Sequence, residues 1–249
     1  MVINKCPVCD GRWFFPLCYL KGQATDKRFK LYFCFNCHSL FNPSGFKEKE
    51  EDLINDTKWH IDHFQDTSER AFILLSKLKQ LQPHSNSFLD IGSGIGATVL
   101  QAKSFGMDAD GVEPNKYAVK HARDQFSIEL KCDFFKKGLY NKNFDIIICT
   151  HVLEHVEHPR ILFKEAIDTL NRPGLFFLSV PWMKKVRHQT KSILLPNLKG
   201  YPFSNNDTHI IHFSHRSIRM WAAEFGAISC EWNKADSTGW YGYIFSFID

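Results

Sequence analysis

The chain has 249 residues, 44% of them hydrophobic and 23% charged, and its 31 Lys and Arg against 27 Asp and Glu leave a formal net charge of +4. That balance excludes a disordered or low-complexity chain, and the length suits one α/β domain of roughly 200 residues with a small appendage rather than two full enzyme domains. The opening Met1-Val2-Ile3-Asn4-Lys5-Cys6 lacks the apolar run of a signal peptide, and no window approaches the roughly 20 uninterrupted apolar residues of a membrane span; the expectation is a cytoplasmic chain whose cysteines meet a reducing compartment.

The first zone, 1–50, holds two Cys-x-x-Cys pairs, Cys6/Cys9 and Cys34/Cys37. A tight turn at each pair can present two thiolates to one ion, and four thiolates complete the tetrahedral shell that zinc prefers. Cys34-Phe-Asn-Cys37-His38 also fits a haem-attachment pattern, but the matching second pair favours a structural zinc ribbon. So small a module buries little core, and metal binding supplies much of its folding energy, on the order of 10 kcal/mol. Cys18, Cys132, Cys149 and Cys230 read as small core residues rather than nucleophiles.

Residues 51–83 read as a linker and a helix, with Ala71, Phe72, Leu74, Leu75, Leu78 and Leu81 at helical spacing and Pro83 as the stop. From Ser87 the pattern alternates. Strands are predicted at 88–91, 108–112, 128–132, 144–149 and 175–180, and helices at 96–105, 115–125 and 159–171. After an irregular stretch from Pro181 to Phe213 come a helix at about 215–225 and strands at about 227–232 and 240–247. Such alternation predicts an α/β fold, a doubly wound, mostly parallel sheet of seven strands with helices on both faces, over 84–249.

Asp90-Ile-Gly92-Ser-Gly94-Ile-Gly96-Ala97 follows a strand and opens a helix, so its backbone can approach a ligand and offer it N–H groups. Gly92, Gly94 and Ala97 also satisfy a dinucleotide pattern, with Glu113 in the place of a ribose-binding acid. Asp90 separates the two readings. A carboxylate beside the turn repels a pyrophosphate, whereas it favours S-adenosylmethionine, which carries an ammonium and a sulfonium. Asp90 can also serve the turn itself by bonding its backbone.

With these residues in view, the chain resembles class I S-adenosylmethionine-dependent methyltransferases over about residues 85–249. The family's first motif matches Leu89-Asp90-Ile91-Gly92-Ser93-Gly94-Ile95-Gly96, and its acid after the second strand matches Glu113. The resemblance implies that Glu113 accepts both ribose hydroxyls, that Pro114 and Asn115 lie beside the adenine, and that Asp133 stands near the adenine amino group. It also implies that Thr150 and His151, after the fourth strand, sit where cofactor and acceptor meet. Leu170-Asn-Arg-Pro173-Gly174 resembles the turn into the fifth strand. The ribbon ahead of the core and His209-Ile-Ile-His212-Phe213-Ser214 resemble bacterial methyltransferases of sugars, surface polysaccharides and natural products.

An alcohol acceptor needs its proton removed, and a histidine titrating near neutral pH can take it. The candidates are His151, His155, His209 and His212, with His209 favoured because the family-like pattern places its counterpart on the acceptor side. A structural role competes for each, since 12 histidines are present and one base suffices. Residues 181–220 carry seven basic groups and one acid, a local +6, and Trp182, Met183, Tyr201 and Phe203 stand among the cations. Segment 181–213 therefore reads as a lid for a small acceptor, phosphorylated or nucleotide-linked, with a solvated loop as the plainer alternative.

The leading function is O-methylation of a sugar, nucleotide-linked sugar or natural product. The alternatives are an RNA-base methyltransferase gripping RNA through the ribbon and a non-catalytic cofactor-binding protein, with a dehydrogenase more distant. Residues 1–60 carry nine basic and seven acidic groups, which argues against nucleic acid as the partner. The sequence does not specify an oligomeric state.

Overall fold

Each Cys-x-x-Cys pair folds into the same tight knuckle. In the first, Cys6 N–H donates to Gly11 O and Asp10 N–H to Cys6 O (both 2.9 Å); in the second, Cys34 N–H donates to Ser39 O (3.0 Å) and His38 N–H to Cys34 O (2.9 Å). The residue after the second cysteine is left-handed in both, Asp10 at φ 56° and His38 at φ 60°. A computed structural model describes residues 4–22, 28–44, 49–181, 208–233 and 241–248. The chain divides into two compact units, Met1–Lys47 with Leu153–Ile161 and Val180–Glu224, and Glu48–Val152 with Leu162–Ser179 and Phe225–Asp249.

In the first unit, strands β1 (Phe14–Lys21), β2 (Arg28–Cys34) and β3 (Leu40–Phe41) form an antiparallel ribbon. A fourth strand, β8 (Ile211–His212), extends it by pairing with β3 (Leu40↔His212, Phe41↔Ile211). Local sequence did not foretell this pairing, because a two-residue strand has no period to read. Helix α6 (His215–Glu224) is capped by Ser214, whose hydroxyl accepts from Ser217 N–H at 3.0 Å. The helix is fastened to the knuckles: Trp221 Nε1–H donates to Val8 O (2.7 Å), Arg216 Nε–H to Asn36 O (2.6 Å) and the Ser214 hydroxyl to Cys37 O (2.5 Å).

The second unit is a six-stranded sheet in the order β5-β4-β6-β7-β10-β9, built from β4 (Ser87–Ile91), β5 (Asp108–Val112), β6 (Phe144–Thr150), β7 (Leu170–Ser179), β9 (Ser229–Asn233) and β10 (Gly242–Phe247). The first four run parallel and β10 pairs antiparallel with β7 and β9. Strand order reverses between β4 and β6, the switch point at which such sheets bind ligands beyond the strands' carboxyl ends. The expected strand at 128–132 survives as one parallel bridge, Val112↔Lys131, beside β5. Among the described residues the sheet therefore has six strands where seven were expected, with that bridge at its β5 edge.

The central strands are buried almost continuously, as a sheet covered on both faces requires, and successive side chains alternate between the two faces. On one face Phe88, Ile146, Ile148, Leu175, Phe177 and Ile244 pack with Leu74, Leu75 and Leu78 of α2 (Phe64–Leu81) and Val99 of α3 (Ala97–Ser104). On the other, Phe163 of α5 (Pro159–Asp168) meets Phe176 (5.1 Å between ring centroids), Phe245 (5.3 Å) and Phe225 (5.5 Å). Helix α4 (Lys116–Phe126) follows β5. The sequence predicted α2 through α6 within a few residues of their bounds, but α1 (Glu50–Asp62) was not resolved from the linker, because its one buried residue is Thr57. Among the described residues no helix is long and apolar enough to cross a membrane.

Candidate active site

In the second unit the chain leaves β4 after Ile91 and turns through three left-handed glycines, Gly92 (φ 76°), Gly94 (φ 53°) and Gly96 (φ 83°), into α3. The turn is held from beneath by Gly92 and Ser93, whose N–H groups donate to Val112 O at 2.9 and 3.2 Å. At Gly92 a Cβ would come within 2.2 Å of Val152 Cγ2, so a side chain is excluded by contact as well as by φ.

Two carboxylates meet at this turn. Glu113, at the end of β5, accepts from Gly94 N–H through Oε2 and from Asn115 N–H through Oε1, each at 2.9 Å. A carboxylate oxygen can accept more than one hydrogen bond, so accepting ligand hydroxyls is within the chemistry of this group. Asp90 is 2% exposed, and its Oδ1 has no hydrogen-bond partner. Burial first, and the neighbouring Glu113 charge second, push its carboxyl up to about 8 against a hydrogen bond from Thr98. A buried carboxylate with an open oxygen fits a cationic ligand, and the donor-rich turn with Glu113 fits a sugar diol.

Helix α1 covers the same turn. Asn115 donates its amide to Leu53 O (2.8 Å) and Thr57 Oγ1 (3.0 Å), and its Oδ1 accepts from Tyr117 N–H (3.1 Å) to cap α4. The His60 ring lies over Gly94. His60, Thr57 and Thr98 are thus site residues that sequence reasoning missed, each lying outside any recognised motif.

The remaining expected cofactor residues lie beyond the carboxyl ends of the same strands. Pro114 is exposed beside Glu113. Asp133 accepts from Phe134 N–H and pairs with Lys136 at 3.1 Å, which holds its carboxyl below the usual range. Thr150 ends β6, and His151 follows with φ 57° and donates its N–H to Ser179 O at 2.8 Å. Cys132, expected in the core, is exposed one residue past the single bridge at Lys131; Cys149 is buried.

In the first unit the other expected histidines come together. His155 closes a short 3-10 turn, Leu153–His155, and its Nδ1 lies 3.1 Å from Thr208 O. The rings of His155 and His209 meet edge to face at 4.8 Å, and those of His209 and His212 are 6.3 Å apart. His212 is 3% exposed; burial, then the His209 charge, lowers it to about 4. Of the expected lid, residues 182–207, including Trp182, Lys184, Lys185, Tyr201 and Phe203, lie outside the described residues.

The four ribbon cysteines converge as well. Their sulfurs lie within 4.8 Å of one another, with Cys6–Cys37 at 3.8 Å and Cys9–Cys34 at 3.6 Å. Thiolates on a tetrahedral zinc, with bonds of about 2.3 Å, stand about 3.8 Å apart, so Cys6, Cys9, Cys34 and Cys37 fit that ion. Hydrogen bonds from Cys37 and Cys6 pull Cys9 down to about 2, while those of Cys37 and Cys9, with burial, push Cys6 up. A cation is what allows all four to ionise together.

The methyltransferase domain family matches residues 62–227, more than half of the sequence. The chain belongs to that family. The expected class, an S-adenosylmethionine-dependent methyltransferase, is thereby borne out. Among proteins of curated function none matches by sequence. Solved structures share the fold at low identity. Streptomyces venezuelae DesVI is 11% identical, with a TM-score of 0.57 over 80% of this chain and 99% of its own. The plantazolicin methyltransferase BpumL in complex with SAH is 10% identical, with a TM-score of 0.57 over 81% and 92%. SAM-bound CalS10, an amino pentose methyltransferase from Micromonospora echinaspora, is 13% identical, with a TM-score of 0.53 over 82% and 98%.

Proposed function

We propose that this methyltransferase moves the methyl group of S-adenosylmethionine to an oxygen of a small acceptor: a sugar, a nucleotide-linked sugar or a natural product. The observation that carries the donor assignment is the buried, unpartnered Oδ1 of Asp90 beside Glu113 at a three-glycine turn. The acceptor class draws support from the natural-product and sugar methyltransferases that share the fold.

Bound S-adenosylmethionine supplies an activated methyl on a positively charged sulfur. The chain's own residues bind and orient it. Asp90 sets a negative charge for the cationic end, Glu113 takes the ribose hydroxyls, and Pro114, Asn115 and Asp133 flank the adenine. Asn115 acts largely through the frame, since its amide ties α1 to the turn. Positioning of the two reactants supplies much of the acceleration. Activation of the acceptor hydroxyl falls to one of the expected histidines, with His209 first and His155, His151 and His212 behind it. The ribbon cysteines hold a structural zinc. The test is a methyl-transfer assay with labelled S-adenosylmethionine across sugars, nucleotide sugars and polyketide or peptide acceptors. Transfer to a hydroxyl supports the reading, and transfer only to nitrogen or carbon overturns it.

A second reading, methylation of an RNA base, draws on Trp13 and Phe35 of the ribbon, which are 80% and 57% exposed. It requires RNA affinity that falls steeply with salt.

A further inference from the structure

Beyond the cofactor crevice, side chains gather where residues 208–210 meet the short turn 153–155. Two backbone-anchored contacts fix this meeting. Ile210 N–H donates to Glu154 O at 2.8 Å, and His155 Nδ1 lies 3.1 Å from Thr208 O. The strands on either side are tied in turn, with Asn42 N–H donating to Ile210 O at 2.7 Å. Three side chains converge in consequence. One carboxylate oxygen of Glu154 and one ring nitrogen each of His155 and His209 lie within 4.8 Å of one another.

We infer that Glu154, His155 and His209 form a second metal site, separate from the cysteine ribbon, for a divalent first-row transition ion. The donor set is two imidazoles and one carboxylate, which suits zinc, iron, cobalt or manganese, whereas calcium and magnesium prefer oxygen alone. The His155 tautomer that donates Nδ1–H to the Thr208 carbonyl leaves the Nε2 lone pair for the ion, the outer hydrogen bond that metal-bound histidines generally make. The His155 and His209 rings meet edge to face at 79°, with centroids 4.8 Å apart. Bonds of about 2.1 Å place ligand atoms roughly 3 to 3.5 Å apart, a closure within reach of small rotations of the exposed His155 and the half-buried His209. Glu154 is fully buried, which fixes the carboxylate in place.

A second observation at the same place points to a ligand. His212, next to His209, is 3% exposed and its Nε2 has no hydrogen-bond partner. A three-ligand site leaves open coordination positions, and a water or hydroxyl on one of them offers that nitrogen a donor. The use of such an ion, to polarise an acceptor hydroxyl, rests on the methyltransferase reading given above; the site itself does not.

The experiment is metal analysis of the full chain. Wild type, His155→Ala, His209→Ala and Glu154→Gln are purified alike, equilibrated with excess zinc, desalted, and measured by plasma mass spectrometry alongside a zinc titration by calorimetry. Wild type is expected to hold two zinc ions per chain and each variant one, the survivor being the ribbon ion lost in Cys9→Ser. His155→Ala and His209→Ala remove exposed or half-buried rings and keep the fold, checked by thermal melting; Glu154→Gln tests the carboxylate at nearly constant volume. S-adenosylhomocysteine binding is measured on the same samples, so loss of the second ion is read apart from failure of the cofactor assignment. One zinc per wild-type chain, with none gained on titration with zinc, cobalt or manganese, overturns the site, as does a second ion retained in both histidine variants.

Discussion

The imidazole of His60 lies directly over Gly94: a Cβ built on that glycine would stand 2.9 Å from His60 Cε1. A helix that sequence periodicity did not disclose therefore packs on the one loop whose chemistry was most legible. Gly94 also lies at φ 53°, where a side chain costs about 1–3 kcal/mol. Gly94→Ala is expected to weaken S-adenosylhomocysteine binding by tenfold or more in calorimetry. Adding His60→Ala recovers part of that loss by relieving the contact while leaving the backbone strain. An unchanged affinity for the single variant would show that the turn does not contact the ligand.

Asp90 gives the pH dependence its sign. With its carboxyl raised to about 8 in the free protein, Asp90 is mostly protonated at pH 6–7, and a cationic ligand favours the ionised form. Affinity for S-adenosylmethionine therefore rises with pH, by up to about tenfold per unit, and levels off above about 8. Binding at pH 7 releases a proton, seen as a buffer-dependent heat. Asp90→Asn flattens the profile.

The same shift bears on stability. A carboxyl whose folded value lies above its unfolded one, about 3.9, favours the folded state at low pH and loses that advantage as pH rises to about 8. Asp90→Asn is expected to raise the melting temperature of the ligand-free protein at pH 8, with a smaller gain at pH 5. A lower melting temperature at both values would mean that the carboxylate is compensated in the free state.

Cys9 is the most accessible of the ribbon thiols to mutate without opening the core, since Cys6, Cys34 and Cys37 are buried. Cys9→Ser removes one thiolate from the shell and is expected to release the ribbon zinc. Hydrogen exchange over residues 4–41 then loses its slow amides. Retained zinc and unchanged protection would contradict the four-thiolate assignment.

His209→Ala is expected to lower turnover by about 10² or more while cofactor binding holds. Measured turnover near that of wild type, with normal cofactor affinity, would remove the histidine from the chemistry.

The sequence disclosed what local physics sets. Near-continuous apolar runs such as Phe144-Asp-Ile-Ile-Ile-Cys149 marked the central strands, and Gly92, Gly94 and Gly96 marked the turn because left-handed backbone there excludes side chains. It was silent where long-range contacts decide. Helix α1 buries only Thr57 and carries no apolar stripe, so its place over the turn rests on hydrogen bonds to Asn115, 58 positions away in the chain for the Thr57 contact. Glu154 gave no signal beyond its neighbours in the chain; its meeting with His209 depends on the Ile210–Glu154 backbone bond. The pairing of Ile211–His212 with β3 likewise follows from tertiary contact.

The central claim is that the three-glycine turn, Asp90 and Glu113 hold a cationic methyl donor by its charge and its sugar. Titration calorimetry of the zinc-loaded full chain with S-adenosylmethionine, S-adenosylhomocysteine and a nicotinamide dinucleotide tests it most directly. Saturable one-to-one binding of the first two, abolished in Glu113→Ala, and none of the third is expected. Binding of the nicotinamide compound alone would contradict it.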